Sequence, residues 1–142
     1  MPAPETCILH ASTVVHRGRA VLIRGASGSG KSALALQLMA LGATLVADDR
    51  TVLTRSPEGL VASSPEAIRG LIEARGVGLL RTETVASAPV VLAVDLDMAE
   101  TERMPPPREI EILGMPLPLL RRVDRPYFPA AILHCLIAGP RF

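Results

Sequence analysis

An α/β domain built on a mixed sheet is what the sequence predicts, and three observations predict it. Short β-branched and apolar runs recur along most of the chain; two Ala- and Leu-rich segments read as helices, one behind a glycine-rich loop and one at the C-terminus; and the two kinds do not alternate as regular βαβ units. At 142 residues the chain reads as one domain, residues 1–142, long enough to bury a real core.

Residues 6–15 and 19–24 are strand-like and separated by "HRG", which predicts a hairpin turn. "KSALALQLMALG" reads as a helix stopped by Gly42, and its nearly uniform apolarity predicts burial between layers. "ATLVADD", "TVLTRS" and "GLVASS" read as short strands, with "SPEG" as a β-turn. "PEAIRGLIEARG" reads as a short helical or irregular piece broken by Gly70 and Gly76, and "VGLLRTE" as a resumed strand. "PVVLAVDLD" is a buried-strand candidate, and "AETERMPPPRE" a mobile, proline-rich connector. "REIEILGMPLPLLRRV" alternates like a hairpin around Gly114, and "PAAILHCLIAG" is a helix with Pro129 near its start.

Composition narrows the function classes. Lys plus Arg is 15 against 14 for Asp plus Glu, and the aromatics are one Tyr and two Phe with no Trp. Neither a basic field nor a stacking platform for nucleic acid is present. Every apolar run is interrupted before the roughly 18 residues of a membrane span, and "MPAPET" lacks the pattern of a signal peptide. Cys7 and Cys135 have neither zinc spacing nor a redox motif and read as core thiols. A cytoplasmic location is the expectation.

The motif with chemical content is "GASGSGKS", which matches G-x-x-x-x-G-K-[ST] between a predicted strand and a predicted helix. Gly25, Ala26, Ser27, Gly28, Ser29 and Gly30 form a loop whose N–H groups can face phosphate oxygens. Lys31 supplies a point charge to the β and γ phosphates, and Ser32 a hydroxyl for Mg2+. Guanine-reading motifs such as N-K-x-D are absent, so ATP is the expected nucleotide. Such a loop implies a nucleotide without specifying the reaction.

Two acidic ends compete for the metal-side role: Asp95, closing "VVLAVD", and the pair Asp48 and Asp49, closing "LVADD". Adjacent aspartates at a strand end can divide labour between metal and acceptor, because neighbouring side chains leave an extended chain in opposite directions. They can also be a solvated turn.

The stretch "HASTVVHRGRAVLIRGASGSGKSALALQLMALGATLVADDR", followed by "LIEARGVGLL", resembles the catalytic domain of the bifunctional HPr kinase/phosphorylase family, in a short form lacking the N-terminal domain. The resemblance is clear from about His10 to Val94. It implies an α/β P-loop fold of the HPr kinase and phosphoenolpyruvate carboxykinase type, with a mixed sheet, a buried P-loop helix and a C-terminal helix. It also implies ATP-dependent phosphorylation of a serine of the phosphocarrier HPr, and the reverse phosphorolysis with phosphate as acceptor. Carried over, Asp48 is the base toward the serine, with His10 and Asp49 beside it and Lys31 on the phosphates. Ser32 and Glu73 take the Mg2+-binding positions, and Arg75 and Gly76 complete the signature. With the resemblance admitted, Asp95 and Asp97 read as a strand terminus. The family's hexameric assembly implies a homo-oligomer.

One segment departs from the family. A proline- and arginine-rich loop that reaches phosphate or partner, near P-x-R-P-G-R-N, is here "RRVDRPYFP"; Arg125, which the resemblance adds to the catalytic residues, and Pro126 match, while Tyr127, Phe128 and Pro129 do not. Phosphorolysis is therefore left open. Two other readings remain: a small-molecule P-loop kinase, with Arg121, Arg122 and Arg125 as its lid, and an ATP-sensing regulatory module without turnover.

Overall fold

The structure, a computed structural model, describes residues 5–139; residues 1–4, the start of the stretch read above for a signal peptide, and 140–142 lie outside them. A nine-stranded mixed sheet among these residues runs in the order β1 (Thr6–Leu9), β5 (Thr51–Ser56), β6 (Gly59–Ser63), β9 (Ser87–Ala99), β3 (Arg19–Arg24), β2 (Ala11–His16) and β4 (Thr44–Ala47). A hairpin of β10 (Glu109–Ile112) and β11 (Met115–Arg122) joins it through β9. This is the α/β fold with a mixed sheet that the sequence predicts, completed by the P-loop helix α1 (Lys31–Ala40) and the C-terminal helix α2 (Phe128–Ala138); the sheet is also curled.

The long strand β9 makes the sheet curl. Its first residues pair with β6, its middle with β3 in parallel, and its last half with β11 on the other side, also in parallel. One apolar cluster (Val21, Ile23, Leu38, Leu92, Ile132, Leu136) fills the space between the sheet and the two helices. A second (Leu22, Val46, Leu53, Leu60, Val90, Leu117) is enclosed by the curl on the opposite face. Alternation along β3 assigns Val21 and Ile23 to one cluster and Ala20 and Leu22 to the other, as period-2 geometry requires. Cys7 and Cys135 are free thiols packed against these clusters, and burial pushes both upward from the ordinary thiol pKa.

Several expectations need correction. Residues 6–15 are two strands, bent at His10: β1 pairs with β5 and β2 with β3. The "HRG" turn closes β2 and β3 with Arg17 and Gly18 at φ 52 and 76, the two-residue hairpin geometry that matches strand twist. "LIEARG" is not helical: β7 (Leu71–Ala74) and β8 (Gly78–Arg81) form a separate hairpin, preceded by one 3-10 turn at Glu66–Ile68. Helix α1 is not buried all round, since Ala33, Gln37 and Ala40 remain exposed along one stripe. Arg121 and Arg122 end strand β11, so they are sheet residues and form no lid.

The connector after β9 is pinned at both ends. Glu100 takes a two-pronged ion pair from Arg108, both contacts 2.9 Å, and the Glu100 N–H donates to the carbonyl of Arg122. The Arg108 guanidinium holds the Glu100 carboxyl at about 2, far below its ordinary 4.5, with the N–H groups of Glu102 and Thr101 assisting against burial. A carboxyl depressed on folding contributes stability above its unfolded pKa and loses it as pH falls toward the folded one. Thermal unfolding followed from pH 6 down to about 2 should therefore show part of the acid-side loss of Tm below about 4.5 disappear in Glu100→Gln. An unchanged Tm-against-pH curve would show that the pair contributes nothing measurable.

Candidate functional site

Strands β3 and β4 both run antiparallel to β2, which lies between them. Their C-terminal ends and the N-terminal end of β2 therefore share one edge of the sheet. The glycine loop leaves β3 there, Asp48 leaves β4 there, and β2 brings Ser12. Ligand sites in α/β sheets gather at such carboxyl ends.

Asp48, only 7 % exposed, is the meeting point. Its Oδ1 accepts from the Ser12 and Ser32 hydroxyls, each at 2.7 Å, and its Oδ2 accepts the Glu73 N–H at 3.1 Å. A carboxylate has about four lone-pair directions, and three donors leave roughly one free for an acceptor hydroxyl. The bond from Ser32 commits that hydroxyl's proton inward, so its lone pairs remain available to a cation.

Asp49 departs from an extended chain. Its φ is 64, and the Arg50 N–H donates to the Asp48 carbonyl at 2.7 Å, a three-residue turn of the rare positive-φ kind. The turn, with the Asp49 N–H held by the Ser12 hydroxyl at 3.0 Å, separates the two carboxylates: Asp48 points into the protein and Asp49 is 59 % exposed. The divergence expected of neighbours on a strand is thus produced by a bend, stabilised by a residue that the sequence reading did not single out. Ser12 is wholly buried, and the signal for it was a serine in the middle of an apolar strand.

The phosphate loop is braced from within and below. Lys31, 5 % exposed, donates to the carbonyls of Gly25 (2.9 Å) and Ala26 (3.2 Å), with Asp49 Oδ1 3.7 Å away. Two of its three N–H groups are engaged by the loop, and one remains for an anion. The Ala26 N–H donates to both oxygens of Asp97, at 2.9 and 3.1 Å, and the Asp97 N–H in turn donates to Asp95 Oδ1 at 2.8 Å. Asp95 is accordingly no strand terminus. It lies inside β9, buried, in register with Arg24 of β3 and Arg121 of β11. Asp97, read above as part of a strand end, braces the loop; only the register of β9 against β3 could have revealed that. Gly25 is favoured sterically, since a Cβ there would lie 3.1 Å from the Ser29 Cβ and 3.2 Å from the Leu96 Cβ and would displace the Ser29 hydroxyl.

Around these groups opens a cleft of about 650 Å³, lined by Lys31, Ser32, Asp49, Glu73, Arg75 and Val77 among others. Glu73 and Arg75 stand on β7 and its turn, which the Val77 N–H closes onto the Ala74 carbonyl, with Gly76 at φ 86. Glu73 and Arg75 are not paired with each other among the described residues. His10 lies in the bend ahead of β2, exposed, two residues from Ser12, and does not line this cleft. Arg125 lies elsewhere, on a second cleft of about 360 Å³ across the N-terminus of α1.

The donor set suits magnesium. Among the described residues no three acidic, His or Cys side chains form a metal cage. Mg2+ beside a phosphate needs none, being held by one or two oxygen ligands, waters and phosphate oxygens. Ser32 and Glu73 offer hard oxygens at the cleft wall, and Asp48 orients the first of them.

Comparison with known proteins identifies the family of the chain. The model of the HPr Serine kinase C-terminal domain matches residues 3–98. The HPr kinase/phosphorylase of Geobacillus sp. (strain WCH70) is 38 % identical over 121 residues, covering 80 % of this chain and 37 % of that protein. That of Geobacillus kaustophilus is 37 % identical over 137 residues, covering 87 % and 44 %. The chain thus spans less than half the length of these curated relatives. Among solved structures, the HPr(Ser) kinase/phosphatase from Coxiella burnetii superposes with a TM-score of 0.74 at 28 % identity, covering 89 % of this chain and 86 % of that one. Among the described residues no helix is long and apolar enough to cross a membrane.

Two substitutions test the bracing. Ser12→Ala removes a bond to Asp48 and the tether on the Asp49 N–H, at a cost of about 1–3 kcal/mol in stability by chemical denaturation. Asp97→Asn exchanges a charged acceptor for a neutral one; it should weaken nucleotide binding, read by calorimetry, about three- to tenfold, the scale of a charge-assisted bond. Wild-type values in either variant would remove that residue from the architecture of the site.

Proposed function

Since the chain belongs to the HPr Serine kinase C-terminal domain family, we propose that it transfers the terminal phosphoryl group of ATP to a serine of an HPr-like phosphocarrier protein, with Mg2+. The observation that supports this most directly is the Asp48 carboxylate, held by Ser12, Ser32 and the Glu73 N–H beside the phosphate loop.

A seryl hydroxyl is a weak nucleophile and gains from a positioned proton acceptor in the transition state. In this reading the hydroxyl enters the cleft beside Lys31 and Asp49 and donates to the free lone-pair direction of Asp48. Its oxygen attacks the γ-phosphorus as the bond to the β-phosphate oxygen breaks, and Asp48 takes the proton. Lys31 and the N–H groups of the loop face the oxygens where negative charge accumulates. Ser32 and Glu73 would hold Mg2+, which would supply positive charge against the phosphates. Arg75 lies on the same wall and adds a cation. The same carboxylate returning its proton to the seryl oxygen is what phosphorolysis with inorganic phosphate requires. His10 or Asp49 is the group that would assist that protonation in this reading.

A non-catalytic ATP sensor has no use for a carboxylate so placed, and of the three arginines that a small-molecule kinase would use as a lid, Arg121 and Arg122 are fixed in β11. A homo-oligomer, a hexamer as the family resemblance implies, is part of this reading.

Incubation of the chain with γ-labelled ATP, Mg2+ and purified HPr should place label on a seryl group stable to acid. Added phosphate and phosphorylated HPr should yield pyrophosphate if the reverse reaction is retained. Tight ATP binding without transfer to HPr, or label on a small molecule instead, would overturn the reading.

A further inference from the structure

We propose that Ser12 is a positioning residue for phosphoryl transfer: together with Ser32 it saturates Oδ1 of Asp48, so that the proton of the acceptor serine goes to Oδ2. This rests on the phosphoryl-transfer reading and deepens it by naming the reacting oxygen. Each carboxylate oxygen has about two lone-pair directions. The Ser12 and Ser32 hydroxyls, each at 2.7 Å, take those of Oδ1, and the Glu73 N–H at 3.1 Å takes one of Oδ2. The direction left over therefore belongs to Oδ2. As the seryl oxygen bonds to the γ-phosphorus, the bond to the β-phosphate oxygen breaks with its electron pair, and the O–H proton passes to Asp48 Oδ2.

The strands explain how a serine comes to this place. β2 pairs with β4 as far as Thr13 opposite Ala47, and there the ladder stops. One step further the register would set Ser12 opposite Asp48. The chain has instead entered the positive-φ bend at Asp49, and the Ser12 side chain makes contacts that the two backbones no longer make. Its hydroxyl donates to Asp48 Oδ1 and accepts the Asp49 N–H at 3.0 Å. A hydroxyl buried in an apolar strand is costly unless it is hydrogen-bonded, and here both its capacities go to the two acids of the site. Thr13, next along the strand, behaves differently: its hydroxyl is equally buried, leaves the sheet on the other face and bonds to Thr51 at 2.9 Å.

Ser12 is wholly enclosed and does not line the cleft of about 650 Å³, so it acts through Asp48 and not on a substrate. Ser32 does line that cleft, and its oxygen is offered to Mg2+. Of the two donors to Oδ1, Ser12 is thus the one with no second duty. Without it, a lone-pair direction opens on Oδ1 and competes with Oδ2 for the seryl proton, and the carboxylate gains freedom to rotate about its Cβ–Cγ bond. A displacement of roughly 1 Å at a reacting group can cost about 10²-fold in rate.

A double-mutant cycle on single-turnover transfer from ATP to HPr, with Mg2+ and at a temperature where circular dichroism shows every variant folded, tests the assignment. Ser12→Ala should slow transfer about 10- to 100-fold, the scale of a hydrogen bond to a charged group, while the Kd of ATP changes less than about twofold. In an Asp48→Asn background the same substitution should change the residual rate less than about threefold, because the group through which Ser12 acts is gone. Thr13→Val removes the buried hydroxyl on the opposite face and should keep the rate within about twofold, whatever it costs in stability. Equal loss from Ser12→Ala in both backgrounds, a comparable loss from Thr13→Val, or a loss in ATP affinity in place of rate would make Ser12 a structural residue and overturn the assignment. So would an unchanged rate in Ser12→Ala. Where Ser12→Ala prevents folding, Ser12→Cys preserves the volume with a much weaker donor and is judged by the same outcomes. Failure of the wild-type chain to label HPr would remove the phosphoryl-transfer reading itself, whereas the preceding outcomes remove the Ser12 assignment alone.

Discussion

The site depends on the three hydrogen bonds to one carboxylate. Asp48 joins a buried strand through Ser12, the phosphate-loop helix through Ser32 and the separate β7–β8 hairpin through the Glu73 N–H. Without it, these elements have no shared polar contact at the sheet edge, and Ser12 and Ser32 would lose the acceptor for their protons. Buried polar groups are stable only when partnered. The same bonds make Asp48 tolerable in a nearly closed position and leave roughly one of its lone-pair directions unused. In the proposed reaction that direction is the one offered to the seryl hydroxyl.

Strain is placed close to that point. The positive φ of Asp49 and the short turn to Arg50 are unfavourable for a residue with a side chain, and they persist because Ser12 holds the Asp49 N–H. The consequence is a division between two neighbouring acids, one enclosed against the core and one open to the cleft near Lys31. The phosphate loop is prepared in a parallel manner: Lys31 ties its carbonyls from inside, and Asp97 ties the Ala26 N–H from β9. Loop and carboxylate are thus each tied down by contacts within the protein.

Much of this was legible in the sequence where the signal is local. The phosphate loop is a contiguous motif whose flanks read correctly, and "VADD" follows a recognisable strand. The α1 boundary at Gly42 and the Gly114 hairpin also follow from short-range chemistry. What failed has non-local causes. "LIEARG" carries residues of helical preference, yet it forms a strand because β8 supplies its partner and Glu73 must present an N–H to Asp48. β9 runs past Asp95 because its parallel neighbour β11 continues to pair with it, with Arg122 opposite Ala99, which no local pattern announces. The connector at residues 100–108 read as mobile for its prolines, while the pairing of Glu100 with Arg108 was invisible without the fold. Asp97 and Ser12 became meaningful only through register.

The proposed reaction has Asp48 accept the seryl proton while Asp49 supports it. Single-turnover transfer from ATP to HPr, compared among wild type, Asp48→Asn and Asp49→Asn at saturating ATP, addresses it directly. The account predicts a rate loss of about 10²–10⁴-fold for Asp48→Asn with ATP affinity kept within a few fold, and a smaller loss for Asp49→Asn. Transfer by Asp48→Asn within about tenfold of wild type would contradict it.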